Sequence, residues 1–281
     1  MFSDPPAELR RALDAARGRL GPFGDLRYAE TIGSTNDAAT RLALSGAAEG
    51  VAVLADQQTA GRGRRGRSWS SPPGAGLYLS VVLRGRELSS APGLVTLGAG
   101  VAAADAILAA TGLPVMLKWP NDLVIGDAWK KLGGILCEGQ GPEPSTGSGS
   151  PRAESRGDAL VVGLGINLTL SAHSPEVTAR AAALESELGR TVDRAALVVE
   201  CLAHLRDLAA VLCSGGRAAV LARWRTRAAT GWQDASVRRQ DGDQLVRGVA
   251  RDVDDDGALI VEHDGRRERV IAGEVTWERH P

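Results

Sequence analysis

The spacing of apolar residues changes several times along the chain, and each change predicts an element. Residues 7–20 carry apolar side chains at helical spacing. Gly18, Gly21, Pro22 and Gly24 then break the pattern before the first strand-like run. One helix is too little for a helix-turn-helix. Short apolar runs then predict strands at 51–55, 77–83, 115–118, 122–125, 132–138 and 159–166, with a long helix over 92–110. Helical spacing returns at 175–188, 193–212 and 217–227, the last two separated by Ser214-Gly215-Gly216. This order predicts a mixed α/β or α+β fold, with a mixed β-sheet covered by helices.

Two segments depart from that plan. Residues 139–157 read GQGPEPSTGSGSPRAESRG, too poor in apolar side chains to bury anything, and predict a mobile insertion between two strands. After Gly231 the runs shorten to 235–238, 245–253, 258–263 and 268–271, punctuated by Asp-Gly pairs at 241–242, 256–257 and 264–265. Asp-Gly between alternating runs signals hairpins. The chain therefore divides into a large domain at 1–229 and a small β-barrel-like domain at 230–281.

Composition narrows the function. With 281 residues, 43% of them hydrophobic, the chain can bury a large core. Thirty-three basic and thirty-four acidic residues give a net charge of −1, so nothing draws the whole molecule to nucleic acid or to anionic membranes. Cys137, Cys201 and Cys213 have neither CxxC nor metal-ligand spacing and are expected to be reduced, buried and inert. The N-terminus lacks the features of a signal peptide, and no apolar run is read as approaching the ~20 residues of a membrane span. A soluble cytoplasmic protein is expected.

Local chemistry is concentrated in three places. Residues 61–67 read GRGRRGR, four arginines among three glycines. Glycines let the backbone approach a ligand, and guanidinium groups match carboxylate and phosphate oxygens. Such a loop suits closure over an anion, although a solvated charge run or a nucleic-acid patch has the same composition. It lacks the GxxxxGK[ST] spacing, and its match to GxGxxG is formal only. Lys118-Trp119-Pro120-Asn121-Asp122 follows a short strand and predicts a polar corner, where a lysine and a carboxylate can meet a metal-bound polyphosphate. Lys130-Lys131-Leu132-Gly133-Gly134-Ile135 sets cations beside a glycine pair. Taken alone, a turn with a surface ion pair explains the corner equally well.

In order, Ser34-Thr35-Asn36, Gln58 through Trp69, Lys118 through Asp122, Lys131 through Leu136 and Gly163-Leu164-Gly165-Ile166-Asn167 resemble the motif series of biotin protein ligases. The likeness runs from about residue 30 to the C-terminus. It implies a class II synthetase-like catalytic domain with an SH3-like C-terminal barrel. It further implies an enzyme that uses ATP and Mg2+ to activate biotin as an adenylate and transfers it to a lysine of a biotin carboxyl carrier protein or carrier domain.

Residue by residue, the resemblance implies biotin contacts at Ser34, Thr35, Asn36, Gln58, Gly61, Arg62, Arg64, Lys131, Gly134 and Ile135. ATP contacts are implied at Arg64, Arg67, Trp69, Lys118, Asn121, Asp122 and Asn167, with Asp122 on the metal. Lys131 and Arg64 are implied as catalytic. Glu274 resembles an acidic residue with which the C-terminal domain reaches the nucleotide. Rival readings are a lipoate or octanoate ligase or transferase of the same fold, a bifunctional ligase-repressor and a nucleic-acid-binding module. With the net charge of −1 no nucleic acid or membrane partner is expected, and a monomer or weak homodimer is expected.

Overall fold

A computed structural model describes residues 2–139, 158–233, 235–241, 244–271 and 275–278. The larger sheet has seven strands. They are β1 (Leu26–Ile32), β2 (Ala52–Gln58), β3 (Gly76–Arg84), β4 (Met116–Lys118), β5 (Asp122–Ile125), β6 (Lys130–Gly139) and β7 (Ala159–Asn167). Their spatial order is β1-β2-β3-β7-β6-β5-β4. Only β1 and β2 run parallel, joined by the helix Thr35–Leu44; the other pairs are antiparallel.

β3 shows how the layers arise. GLYLSVVLR is buried along nearly its whole length, as expected of a central strand covered on both faces. Leu77, Leu79, Val81 and Leu83 join the main core with the long helices, whereas Val82 faces Ala38, Ala39 and Ala43 of Thr35–Leu44. Each such Leu or Val contributes roughly 1.5–3 kcal/mol on burial. Ser80, fully buried, points to the same side as Val82 by the period-two alternation of a strand. It therefore meets the helix that begins beside it.

The helix Pro92–Thr111 corrects one expectation. It is 20 residues long and holds an 18-residue window of mean hydropathy 1.8, long and apolar enough by composition to cross a membrane. It is mostly buried, packed against Arg194–Cys213, Arg217–Arg227 and β6. Asp105 near its middle is buried and paired to Arg223 and Arg227. Asp193 caps Arg194–Cys213, its side chain accepting from Ala196 N at 2.9 Å.

Other expectations shift locally. The helix expected over 175–188 is broken into Pro175–Thr178 and Leu184–Leu188. Between them, Arg180 O accepts from Lys131 N at 3.1 Å and Ala182 N donates to Lys131 O at 2.9 Å. Pairing with the start of β6 outweighs local helical spacing there. Among the thiols, Cys201 is buried and Cys137 partly buried, but Cys213 is exposed.

The second sheet holds β8 (Ser236–Asp241), β9 (Gln244–Val253), β10 (Leu259–His263), β11 (Arg266–Val270) and β12 (Val275–Glu278). All pairs are antiparallel, in the order β11-β10-β9-β8-β12. Asp264 and Gly265 both take positive φ (47° and 72°), the turn that an Asp-Gly pair suits. The sheet stays open among the described residues rather than closing into the expected barrel, with β11 and β12 at its edges. It docks through Trp119, whose Nε1 donates to Gly257 O at 3.0 Å, and through Trp129, whose ring lies edge-on to Trp277 at 5.9 Å. Residues 140–157 and Glu274 lie outside the described residues, so of the expected insertion only Gly139, the end of β6, is described.

Candidate active site

The arginine segment folds as a small hairpin. Gly63 N donates to Arg67 O at 2.7 Å, Arg67 N to Arg64 O at 3.2 Å and Trp69 N to Gly61 O at 2.8 Å. Arg65 and Gly66 form its tip with φ of 57° and 71°. Two glycines of β7 make room, one for the hairpin and one for the helix Thr35–Leu44. A Cβ on Gly165 would lie 2.8 Å from the Trp69 indole, and one on Gly163 would lie 2.1 Å from Asn36 Oδ1. Only glycine permits either contact.

Opposite stands the corner between β4 and β5. Its Trp119-Pro120 peptide is cis. Asn121 Nδ2 donates to Ile135 O at 2.8 Å, and Asn121 Oδ1 accepts from Arg64 Nη1 at 3.4 Å. The corner thus ties β6 to the hairpin. Lys118 and Asp122 face each other across the β4–β5 pair. Lys131 enters from β6, with Nζ 2.5 Å from Asp122 Oδ1 and 5.4 Å above the Trp69 ring. Burial, with Lys131 nearby, lowers the pKa of Lys118, while Asp122 partly restores it. Burial lowers that of Arg64 as well.

These parts enclose a cavity of about 810 Å³. Among the described residues its wall carries five arginines (62, 64, 65, 67 and 180), three lysines (118, 130 and 131) and one carboxylate, Asp122. Such an excess of cations is costly unless anions join them. The other end is neutral. Ser34 caps Thr35–Leu44, accepting from Asp37 N at 3.4 Å. Gln58 Oε1 accepts from Thr35 N at 2.8 Å and Thr35 Oγ1 at 3.0 Å, while its amide donates to Ser71 Oγ at 2.8 Å. Ser80 Oγ lies 2.8 Å from Thr35 Oγ1 and 2.6 Å from Asn36 Oδ1. The corner is held by protein groups and is ready to take a small polar ligand head.

Ser34, Thr35, Asn36, Gln58, Arg62, Arg64, Arg67, Trp69, Lys118, Asn121, Asp122, Lys131, Gly134, Ile135 and Asn167 all line this one cavity. Gly61 does not; it is buried behind the hairpin and bonded to Trp69. Asn36 and Asn167 are engaged by the protein itself. Asn36 Nδ2 donates to Leu136 O and Glu138 Oε2, and Asn167 Nδ2 to Ala182 O at 3.0 Å and Lys131 O at 3.4 Å. Asn167 thereby braces the backbone of Lys131. Ser80, Glu138, Trp129, His173 and Arg180 escaped the sequence reading. Only the lone serine inside an apolar strand hinted at Ser80; the others are brought in by tertiary packing.

Residues 28–148 match the biotin/lipoate A/B protein ligase family, and residues 236–276 match the biotin protein ligase C-terminal domain. The biotin–[acetyl-CoA-carboxylase] ligase of Mycobacterium tuberculosis is 32% identical, covering 98% of this chain and 97% of that protein. The bifunctional ligase/repressor BirA of Salmonella typhimurium is 34% identical over 81% of this chain, which spans 66% of that relative's length. Among solved structures, a biotin protein ligase from Aquifex aeolicus in complex with biotin and ATP superposes with a TM-score of 0.73 at 25% identity, over 91% of this chain and 99% of that one. Matched along nearly the full length of one such ligase, and with the motif residues gathered around a single cavity, the chain belongs to the biotin protein ligase family.

Proposed function

We propose that this chain is an ATP-dependent biotin protein ligase, active in the cytoplasm, that forms biotinyl-5'-AMP and passes the biotinyl group to a lysine of a biotin carboxyl carrier protein or carrier domain. One observation carries the reading: a neutral hydrogen-bonding corner opens into a wall that, among the described residues, holds eight cations and one carboxylate within the same cavity. The catalytic residues fall within 1–229, and the sheet within 230–281 contributes Val275 to the cavity wall.

The chemistry follows from charge. A carboxylate oxygen of biotin attacks the α-phosphorus of ATP, forming a C–O–P mixed anhydride and releasing pyrophosphate. Both reactants are anions, so the site must neutralise and align them. Ser34, Thr35 and Gln58 take the ureido end, with Gly134 and Ile135 alongside. Arg62 and Arg64 meet the carboxylate and α-phosphate, while Arg67, Trp69, Lys118 and Asn121 meet the nucleotide. Lys131 stabilises charge developing on the reacting oxygens and forms no covalent bond. The carrier's lysine then attacks the acyl carbon of the anhydride, making an amide and expelling AMP.

No group of three His, Cys, Asp or Glu side chains suited to a metal occurs among the described residues. Asp122 alone fits a magnesium ion that arrives already held by phosphate oxygens. Such an ion supplies charge neutralisation on the polyphosphate. The decisive experiment follows pyrophosphate release with ATP and biotin, then transfer to a carrier domain, with lipoate as competitor. Lipoate activation equal to that of biotin would overturn the assignment.

A further inference from the structure

Arg62 is paired to two carboxylates. Its Nη2 lies 2.7 Å from Asp37 Oδ1 and 2.5 Å from Glu138 Oε2. The same Glu138 oxygen accepts from Asn36 Nδ2 at 2.8 Å. Asn36 is in turn fixed by Ser80 and by the close approach of Gly163. One hairpin residue is thus anchored to two elements, the first turn of Thr35–Leu44 and the end of β6. Nη2 donates to Glu138 Oε2, and the Asp37 carboxylate pairs with the same nitrogen by charge. Arg62 keeps Nε and Nη1 for the cavity that it lines. Ion pairs this exposed add little to stability, with side chains 41%, 42% and 28% exposed for Arg62, Asp37 and Glu138. Their geometry points to positioning instead.

We propose that Glu138, assisted by Asp37, is a positioning residue for biotin activation: it holds the Arg62 guanidinium by one nitrogen so that the other two meet the biotinyl carboxylate. This rests on the ligase reading above. The arrangement fixes where the hairpin sits relative to the neutral corner, and therefore where the carboxylate of a bound biotin is met. Of the proposed nucleotide contacts, Lys118 lies on β4, away from this cluster, while Asn121 at the corner meets the hairpin only through Arg64.

A double-mutant cycle tests this on the full chain. Glu138→Gln keeps the shape and loses the charge; it should raise the apparent KM for biotin about tenfold and leave that for ATP nearly unchanged. In an Arg62→Ala background the same change should have almost no further effect on biotin. An undiminished tenfold rise in that background, or no rise in the wild-type background, would overturn the assignment. Thermal unfolding is measured alongside, and Asp37→Asn carries the same cycle if Glu138→Gln does not fold. Wild-type protein that releases no pyrophosphate with biotin and ATP would overturn the ligase reading and this inference together. Normal wild-type turnover with additive effects would overturn the inference alone.

Discussion

Lys131 Nζ sits 2.5 Å from Asp122 Oδ1, and this pair joins the base of β6 to the corner between β4 and β5. The carboxylate fixes the position of the ammonium before any substrate arrives. Lys131→Gln should therefore leave the fold intact and slow adenylate formation by about 100- to 1000-fold, the usual cost of removing one group that stabilises developing charge. Single-turnover pyrophosphate release measures this. An undiminished rate would remove Lys131 from the reaction centre.

Arg62 and Lys118 should fail in different ways. Arg62→Ala frees one strand of the hairpin and should raise the biotin requirement and let biotinyl-5'-AMP escape. Lys118→Ala removes a point charge from a rigid corner and should weaken ATP use instead. Apparent KM values for both substrates, with released adenylate quantified directly, separate the two. Equal effects on ATP and no leakage from Arg62→Ala would show that the division of labour is wrong.

The depressed pKa of Lys118 gives a pH-dependent signature. Burial first, and Lys131 second, disfavour its charged form, so the free protein loses this proton at lower pH than an ordinary lysine. A bound polyphosphate favours the ammonium and raises the pKa again. On the alkaline side of neutrality, ATP binding should therefore take up a proton. Calorimetry in buffers of different ionisation enthalpy detects it, and Lys118→Met should abolish it. Binding heats that are independent of the buffer in the wild type would contradict the mechanism.

Gly165 offers a purely steric test. A methyl group there would lie 2.8 Å from the indole of Trp69, so Gly165→Ala must push the ring away or shift the strand. Overpacking of this kind costs about 1–3 kcal/mol. Trp69 should lose its place beneath Lys131, visible as altered near-ultraviolet dichroism and faster loss of adenylate. An unchanged spectrum with full activity would mean that the ring is not held as described.

How much of this was legible in the sequence depended on side-chain size. β3 and Pro92–Thr111 were readable because long runs of Leu, Val and Ala leave no other reading. Thr35–Leu44 was missed. Its buried apolar residues are Ala38, Ala39 and Ala43, too small to stand out beside Thr35, Asn36 and Asp37. Most of the cationic wall was visible as GRGRRGR, KWPND and the Lys130-Lys131 pair because those residues are local in sequence; Arg180 was not. Glu138 and Ser80 were not, since each acts on a partner brought near by folding. The break near Arg180 was likewise tertiary, set by a strand that recognises its neighbour.

The long core helix has a consequence for the birth of the molecule. During synthesis Pro92–Thr111 emerges before Arg194–Cys213 and Arg217–Arg227, the helices that later cover it. Until then a stretch of mean hydropathy 1.8 is open to capture by the membrane-insertion machinery. Asp105 is the one charged residue in that stretch, and its carboxylate opposes insertion by at most about 2.5–3.5 kcal/mol, the cost at a helix centre. The arginines that neutralise it, Arg223 and Arg227, arrive only with the last of these helices. The same aspartate that pins the finished core thus guards the unfinished chain. Asp105→Leu should send more newly made protein to the membrane fraction, and an unchanged distribution would show that the guard is not needed.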